Sequence, residues 1–424
     1  MNLQSASREQ LQAFEAELSQ QYDTYQAAGL NLDLTRGKPS TEQVALSNNL
    51  DGILSGNYFA ADGTDLRNYG GLDGLPEMKQ LFADTFGLDA SSIAIAGNSS
   101  LTLMYQSVMF AQHFGLGAEA WNKEEGEVKF LCPVPGYDRH FSICEELGIA
   151  MIPVAMNENG PLMDEVEALI KADPMIKGIW CVPRFSNPTG CVYSAEVVGR
   201  IAALGKIAGK GFKVFWDNAY AVHVLNDNAE ELTSITDCAK DAGTEDNILL
   251  FGSTSKVTFA GAGVAFLAAA SPALSAFKKH LAISSIGPDK VNQQRHIDLL
   301  KDAEGFKRHM AKHAVILKPR FDIVEKHLSE GLAAAGIATW LKPEGGYFVS
   351  FDSMPGLAKE VVAMAAKAGV KLTPAGATYP YGDDPLDTNI RIAPTYPAIE
   401  DIDQAMGIFV TCVKLASVRK LLSA

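Results

Sequence analysis

Short apolar runs alternate with amphipathic stretches through the first three quarters of this chain. The runs at 93–96, 128–134, 150–155, 178–183, 212–217, 248–252 and 263–269 have strand length and are largely continuous rather than alternating. Helix-like text lies between most of them, as at 162–171 and 194–209. This rhythm predicts a mostly parallel sheet covered by helices on both faces. Near residue 313 the pattern changes, and Leu317, Phe321, Val324, Leu328 and Leu332 fall on one stripe of a long helix. Two strand-like runs, 346–351 and 389–393, and further helices follow. At the other end, 7–28 is rich in Gln, Glu and Ala and reads as a helix, with Ser5 or Ser7 as its N-cap. The expected fold is therefore α/β. A large domain over 51–312 holds a sheet of about seven strands, and a smaller α+β domain is built from both chain ends, 1–50 and 313–424.

Composition narrows the function classes. A chain of 424 residues, 47% hydrophobic, can bury a large core. Its net charge of −14 and the lack of a basic stripe argue against nucleic acid or an anionic membrane as partner. The opening MNLQSASREQLQAF has no apolar core behind a basic start, and no apolar run is long enough to span a bilayer. A cytoplasmic protein is expected. The six cysteines are single, with no C-x-x-C pair and no accompanying histidine cluster, so no metal site is expected and buried free thiols are.

Four polar features sit at the ends of predicted strands, where α/β sheets place ligands. They are Gly97-Asn98-Ser99-Ser100, Asn187-Pro188-Thr189-Gly190, Asp217-Asn218-Ala219-Tyr220 and Ser253-Thr254-Ser255-Lys256. Each alone has an ordinary explanation: an N-cap, a turn, a helix cap, a solvated loop lysine. Their order and separation, 30 residues from Asn187 to Asp217 and 39 more to Lys256, call for another.

That ordered set resembles the fold-type I, pyridoxal-phosphate (PLP) dependent aminotransferases of class I, and specifically a divergent bacterial subgroup of aspartate aminotransferases. Asn68-Tyr69 with Gly71, Gly74, Pro76 and Glu77 is similar to the N-Y-x-G-x-x-G-x-P-E segment of that family. Asn389-Ile390-Arg391-Ile392 and Pro343-Glu344-Gly345-Gly346-Tyr347-Phe348 match two small-domain segments, so the likeness runs from about Gly37 to Arg391. The resemblance implies that Lys256 carries the cofactor and acts as base, that Asp217 pairs with the pyridinium nitrogen, and that Asn187 and Tyr220 reach the ring oxygen. The residue types suit these tasks. A lysine must become a neutral amine to attack an aldehyde, and a carboxylate keeps the ring nitrogen protonated. Ser99, Ser100 and the N–H groups at Ser100 and Leu101 open a helix and offer an anion site for the phosphate, to which Ser253 and Ser255 add hydroxyls. Tyr137 is expected to stack on the cofactor. The resemblance further implies a homodimer in which Tyr69 reaches the neighbouring subunit's phosphate, and a substrate site with Arg391 on the α-carboxylate beside Arg36, Gly37 and Asn187.

One part of the pattern is missing. Many relatives carry a phosphate-binding arginine shortly after the lysine, where this chain has Gly263 in SKVTFAGAGVAF. Arg184 and Arg36 are candidate replacements. The GAGV run lacks the third glycine of a dinucleotide fingerprint and precedes a strand rather than opening a helix, so that reading fails. The implied reaction is ping-pong transamination from an L-amino acid to a 2-oxo acid, with aspartate and 2-oxoglutarate as the expected pair. Lys290, Arg295, Arg36 and Arg139 are rival cations for aspartate's second carboxylate. Alternatives that share the cofactor residues are another donor preference and β-elimination from a cysteine-like substrate. A PLP-sensing regulator would need a basic recognition helix, which the roughly 60 residues before the NYGG motif lack. A dead scaffold would have no chemical need for Lys256 and Asp217.

Overall fold

The computed structural model describes residues 2–226 and 228–423. Helix Arg8–Ala27 follows a capping box at Ser7, whose hydroxyl accepts from the Gln10 amide while the Gln10 side chain accepts from the Ser7 amide. Of the two candidate serines, Ser7 is thus the cap. A two-residue strand, β1 (Leu32–Asp33), follows.

The central sheet is built from β2 (Ile93–Ile95), β3 (Lys129–Val134), β4 (Ala150–Asn157), β5 (Gly160–Pro161), β6 (Ile176–Cys181), β7 (Lys213–Asp217), β8 (Ile248–Ser253) and β9 (Ala265–Ala269). Their order is β2-β9-β8-β7-β6-β3-β4-β5. The five strands from β8 to β4 run parallel, while β9 is antiparallel to both β8 and β2. Every apolar run read from the sequence has become a strand. The eighth, β5, is a two-residue hairpin partner of β4, too short to leave an apolar run.

Both faces of the sheet are buried, which is why its strands read as continuous rather than alternating. Leu131, Val214 and Leu250 face one helical layer, and their chain neighbours Phe130, Phe215 and Leu249 face the other. Phe215 and Phe251 lie parallel, centroids 5.9 Å apart.

The long helix begins at Ala303 and runs to Leu332, starting well before the apolar stripe because Asp302 caps the Gly305 amide. All five stripe residues are buried. They share one core with Leu11 and Leu18 near the start of the chain and with Phe409 and Val413 from the last helix, Ile399–Ser423. An antiparallel sheet of β10 (Ala338–Trp340), β11 (Val349–Ser353) and β13 (Asn389–Ile392) closes this layer, and β12 (Val370–Lys371) pairs in parallel with β1.

The strand expected from residue 346 begins only at Val349. Gly345 instead bridges to Val224, and the Gly346 amide donates to the His223 carbonyl at 2.9 Å. A Cβ at either glycine would come within 2.3 and 2.8 Å of Phe185, so only glycine lets this segment dock against the loops of the large sheet. That docking brings Tyr347 and Phe348 to the strand ends where the polar motifs lie. Among the described residues no helix is long and apolar enough to cross a membrane, and none of their side chains cluster as metal ligands.

Candidate functional site

The polar motifs meet at the carboxyl edge of the parallel strands. Asp217 is the last residue of β7 and is almost fully buried. Its Oδ2 lies 3.1 Å from His140 Nε2, while Oδ1 is buried without a partner among the described residues. His140 lies flat on Trp180, centroids 4.3 Å apart and 10° from parallel, and meets Tyr137 edge-on at 4.9 Å. Sequence reasoning missed His140. The signal was its place one helical turn after Tyr137, at the start of helix Asp138–Glu146.

Lys256 follows β8 and is half-buried, with Nζ 4.9 Å from the centre of the buried Tyr220 ring. Burial pushes its amine pKa down, and the Asp217 carboxylate opposes this. A depressed amine pKa favours the neutral form that nucleophilic attack requires. Burial raises the Tyr220 hydroxyl well above its usual range, reinforced by the nearby Tyr137 and Asp217.

The serines come together from two loops. Ser253 Oγ donates to Ser255 Oγ at 3.1 Å, and Ser255 Oγ donates to the Asn98 carbonyl at 3.0 Å. Beside Asn98, Ser99 caps helix Ser100–His113 without a side-chain hydrogen bond of its own. The first amides of that helix, at Ser100 and Leu101, have no intrahelical acceptor and so stand as free donors beside the Ser99 hydroxyl. This is a cradle for an anion. A side chain at Gly263 would crowd it, since a Cβ there meets the Ser255 amide nitrogen at 3.1 Å.

Arg391 on β13 reaches the same place from the chain-end layer. Its Nη1 donates to Asn187 Oδ1 at 3.2 Å and to Asp138 Oδ1 at 2.9 Å, and its Nε is buried without a partner among the described residues. The guanidinium lies over Phe348, 4.9 Å from the ring centre. Gly37 packs on the other edge of that ring, where a Cβ would come within 2.2 Å. Gly37 thus shapes the pocket by being small.

Two cations considered from sequence are committed to backbone carbonyls. Lys290 is buried, and its Nζ donates to the Asn68 and Gly70 carbonyls at 2.7 and 2.8 Å. It braces the loop that holds Tyr69, which is 83% exposed. Arg184 donates to the Ala221 and Glu230 carbonyls, both at 2.8 Å, so it ties a loop down instead of facing the anion cradle. Arg36 is exposed, beside Gly37. Arg295 instead lines a cleft with Gly97, Asn98 and Gly263, on the side of the cradle where the expected arginine is missing.

The residues fit PLP. An unpartnered buried carboxylate oxygen, a half-buried lysine with a lowered pKa, an anion cradle and an aromatic wall stand together. Fold and constellation define a PLP-dependent aminotransferase of fold type I. The model of the aspartate amino-transferase family matches residues 6–424, and the chain belongs to that family. A protein of Mycolicibacterium smegmatis is 47% identical over 100% of this chain and 99% of its own. An aspartate aminotransferase of Corynebacterium glutamicum is 44% identical over 98% of this chain and 96% of its own. The crystal structure of an aspartate transaminase from that organism superposes with a TM-score of 0.96 at 43% identity, over 99% of both chains.

Asp138 occupies the guanidinium that the sequence led us to expect at a substrate carboxylate. Asp138→Asn is expected to lower the KM for the amino acid roughly fivefold, the size of a partly exposed ion pair, with kcat little changed. Steady-state kinetics on the variant check this. A raised KM would mean that Asp138 orients Arg391 rather than competing for it.

Proposed function

We propose that this aminotransferase moves the amino group of L-aspartate to 2-oxoglutarate, with PLP held on Lys256. The observation that carries the reading is the Lys256 amine over Tyr220 and within the field of Asp217, whose second oxygen is unpaired. Bound PLP supplies an aldehyde for the lysine and a protonated ring that accepts electrons when the substrate's Cα proton leaves. Asp217 holds the ring nitrogen's proton through its free oxygen. His140 fixes the carboxylate's orientation. Asn187 and Tyr220 hold the ring hydroxyl, and Tyr137 covers one face. Ser99, Ser100, the Leu101 amide, Ser253 and Ser255 take the phosphate. Lys256, whose burial favours the neutral amine, would serve as the base for the substrate's Cα proton. Arg391 receives the α-carboxylate through its free Nε edge, and Arg36 and Arg139 are the exposed cations left for the second carboxylate of aspartate.

The working unit we propose is a cytoplasmic homodimer with shared sites, in which the exposed Tyr69 completes the partner's anion cradle. The large domain, 51–312, carries the cofactor, and the domain formed by 1–50 and 313–424 brings Arg391 to the substrate and excludes water.

The test is an absorption spectrum of the protein with PLP before and after L-aspartate, beside Lys256→Ala. A visible band that gives way to near-ultraviolet absorption on aspartate, absent in the variant, is expected. A band that responds only to another amino acid would remove aspartate, and no lysine-dependent band would overturn the reading.

Subunit mixing tests the shared site. Tyr69→Ala and Lys256→Ala homodimers are each expected to be poorly active. Exchanging their subunits should restore activity to roughly a quarter of the wild-type sites, since a hybrid has one site with both defects and one with neither. No recovery on mixing would place Tyr69 in its own subunit's site.

A further inference from the structure

Three segments far apart in sequence converge on two peptide groups, and a fourth backs them. The Lys256 carbonyl accepts from His223 Nε2 at 3.2 Å and from the Tyr347 hydroxyl at 3.4 Å. The next carbonyl, Val257, accepts from His309 Nε2 and His313 Nε2, each at 2.9 Å. Behind them, Gln43 Nε2 donates to His313 Nδ1 at 3.1 Å and to the Tyr347 hydroxyl at 2.9 Å. Ser47 Oγ lies 3.3 Å from His309 Nε2. All these side chains are buried apart from the lysine's own.

The protonation pattern follows from the partners. A carbonyl only accepts, so both imidazoles carry their proton on Nε2. The amide nitrogen of Gln43 only donates, so His313 Nδ1 is bare and the ring is neutral. Burial acts in the same sense, pushing His223 down to about 3 and His313 down to about 4. Neutral donors can stand with their Nε2 atoms 3.4 Å apart, as His309 and His313 do. Two imidazolium ions could not.

The carbonyls need these donors because the helical turn at Thr254–Thr258 stops after the Val257 and Thr258 amides bond to Thr254. Its last carbonyls would otherwise be orphaned. Ordinary helix continuation would have satisfied them more simply. The chain instead uses side chains from helix Ala303–Leu332, from the 343–348 segment and from the loop after β7.

We propose that His223, His309, His313 and Tyr347 are positioning residues for Lys256, which clamp the peptide on its carboxyl side and so set where its amine stands against Asp217 and Tyr220. The inference rests on Lys256 being the reactive lysine. Misplacing a reacting group by about 1 Å costs up to a hundredfold in rate, so the clamp acts on turnover more than on binding.

The experiment compares His313→Phe, Tyr347→Phe and His313→Gln, the last retaining a donor. In PLP-free protein, amide hydrogen exchange at Val257 and Thr258 should speed up at least tenfold in His313→Phe and return toward wild type in His313→Gln. With PLP, kcat should fall roughly ten- to a hundredfold in His313→Phe and less in Tyr347→Phe, the KM for the amino acid staying within about twofold, and the pH midpoint of the visible band should move. Should His313→Phe fail to fold, Tyr347→Phe, which removes only a hydroxyl, carries the same test. Unchanged exchange at Val257 and Thr258 overturns the clamp whether or not PLP binds. A wild-type protein with no lysine-dependent band overturns the proposed function instead.

Discussion

A carboxylate buried at a strand end governs this site. Asp217 finishes β7 in the interior, where an uncompensated charge costs several kcal/mol. One oxygen is met by His140, whose ring is pinned against Trp180, and Trp180 in turn directs its indole N–H to Cys144 Sγ at 3.3 Å. The other oxygen has no protein partner among the described residues. The rest of the site is arranged around that open valence. Lys256 feels it as the charge that opposes the effect of burial, and at Tyr137 and Tyr220 burial keeps the hydroxyls protonated with this negative field reinforcing it. A protonated ring nitrogen is the partner such an oxygen lacks.

What the sequence made legible follows from periodicity. Both faces of the central sheet are covered, so its strands appear as unbroken apolar runs that even a single sequence displays. The stripe from Leu317 to Leu332 was legible for the same reason, as was the Ser7 cap. The two-residue β5 carries no period at all. The 346–351 run read as a strand because Tyr347 and Phe348 are strand-like residues, yet Gly345 and Gly346 are committed to close approach with Phe185. Local propensity gave way to a tertiary contact.

The site divides along the same line. Asn187, Asp217 and Lys256 were legible because a parallel sheet puts motifs that end successive strands side by side. Lys290 was read by its charge, as a loop lysine is, whereas the fold makes it a buried donor to two carbonyls. The histidines were invisible for a different reason. His309 and His313 stand four apart on one helix face, but nothing in the sequence ties that pair or His223 to Lys256, and only the fold brings them to the turn after it. Gly263 was legible as a departure, but its cause, the Ser255 amide pressed against it, was not.

Two adjacent residues join the substrate side of the site to the lysine side. The Tyr347 hydroxyl donates to the Lys256 carbonyl, and the next ring, Phe348, lies under the Arg391 guanidinium with Gly37 at its edge. The chain between them is held to the large sheet through Gly345, Gly346 and Phe185. Gln43, from the same chain-end layer as Arg391, donates to Tyr347 and His313 together. In the proposed function, a carboxylate drawing Arg391 toward it would pull on a segment already bonded to the peptide that carries the lysine. A packed segment with polar bonds at both ends cannot shift at one end alone. Under the roles proposed for Arg391 and Lys256, recognising the substrate's carboxylate and setting the position of the base are parts of one mechanical unit.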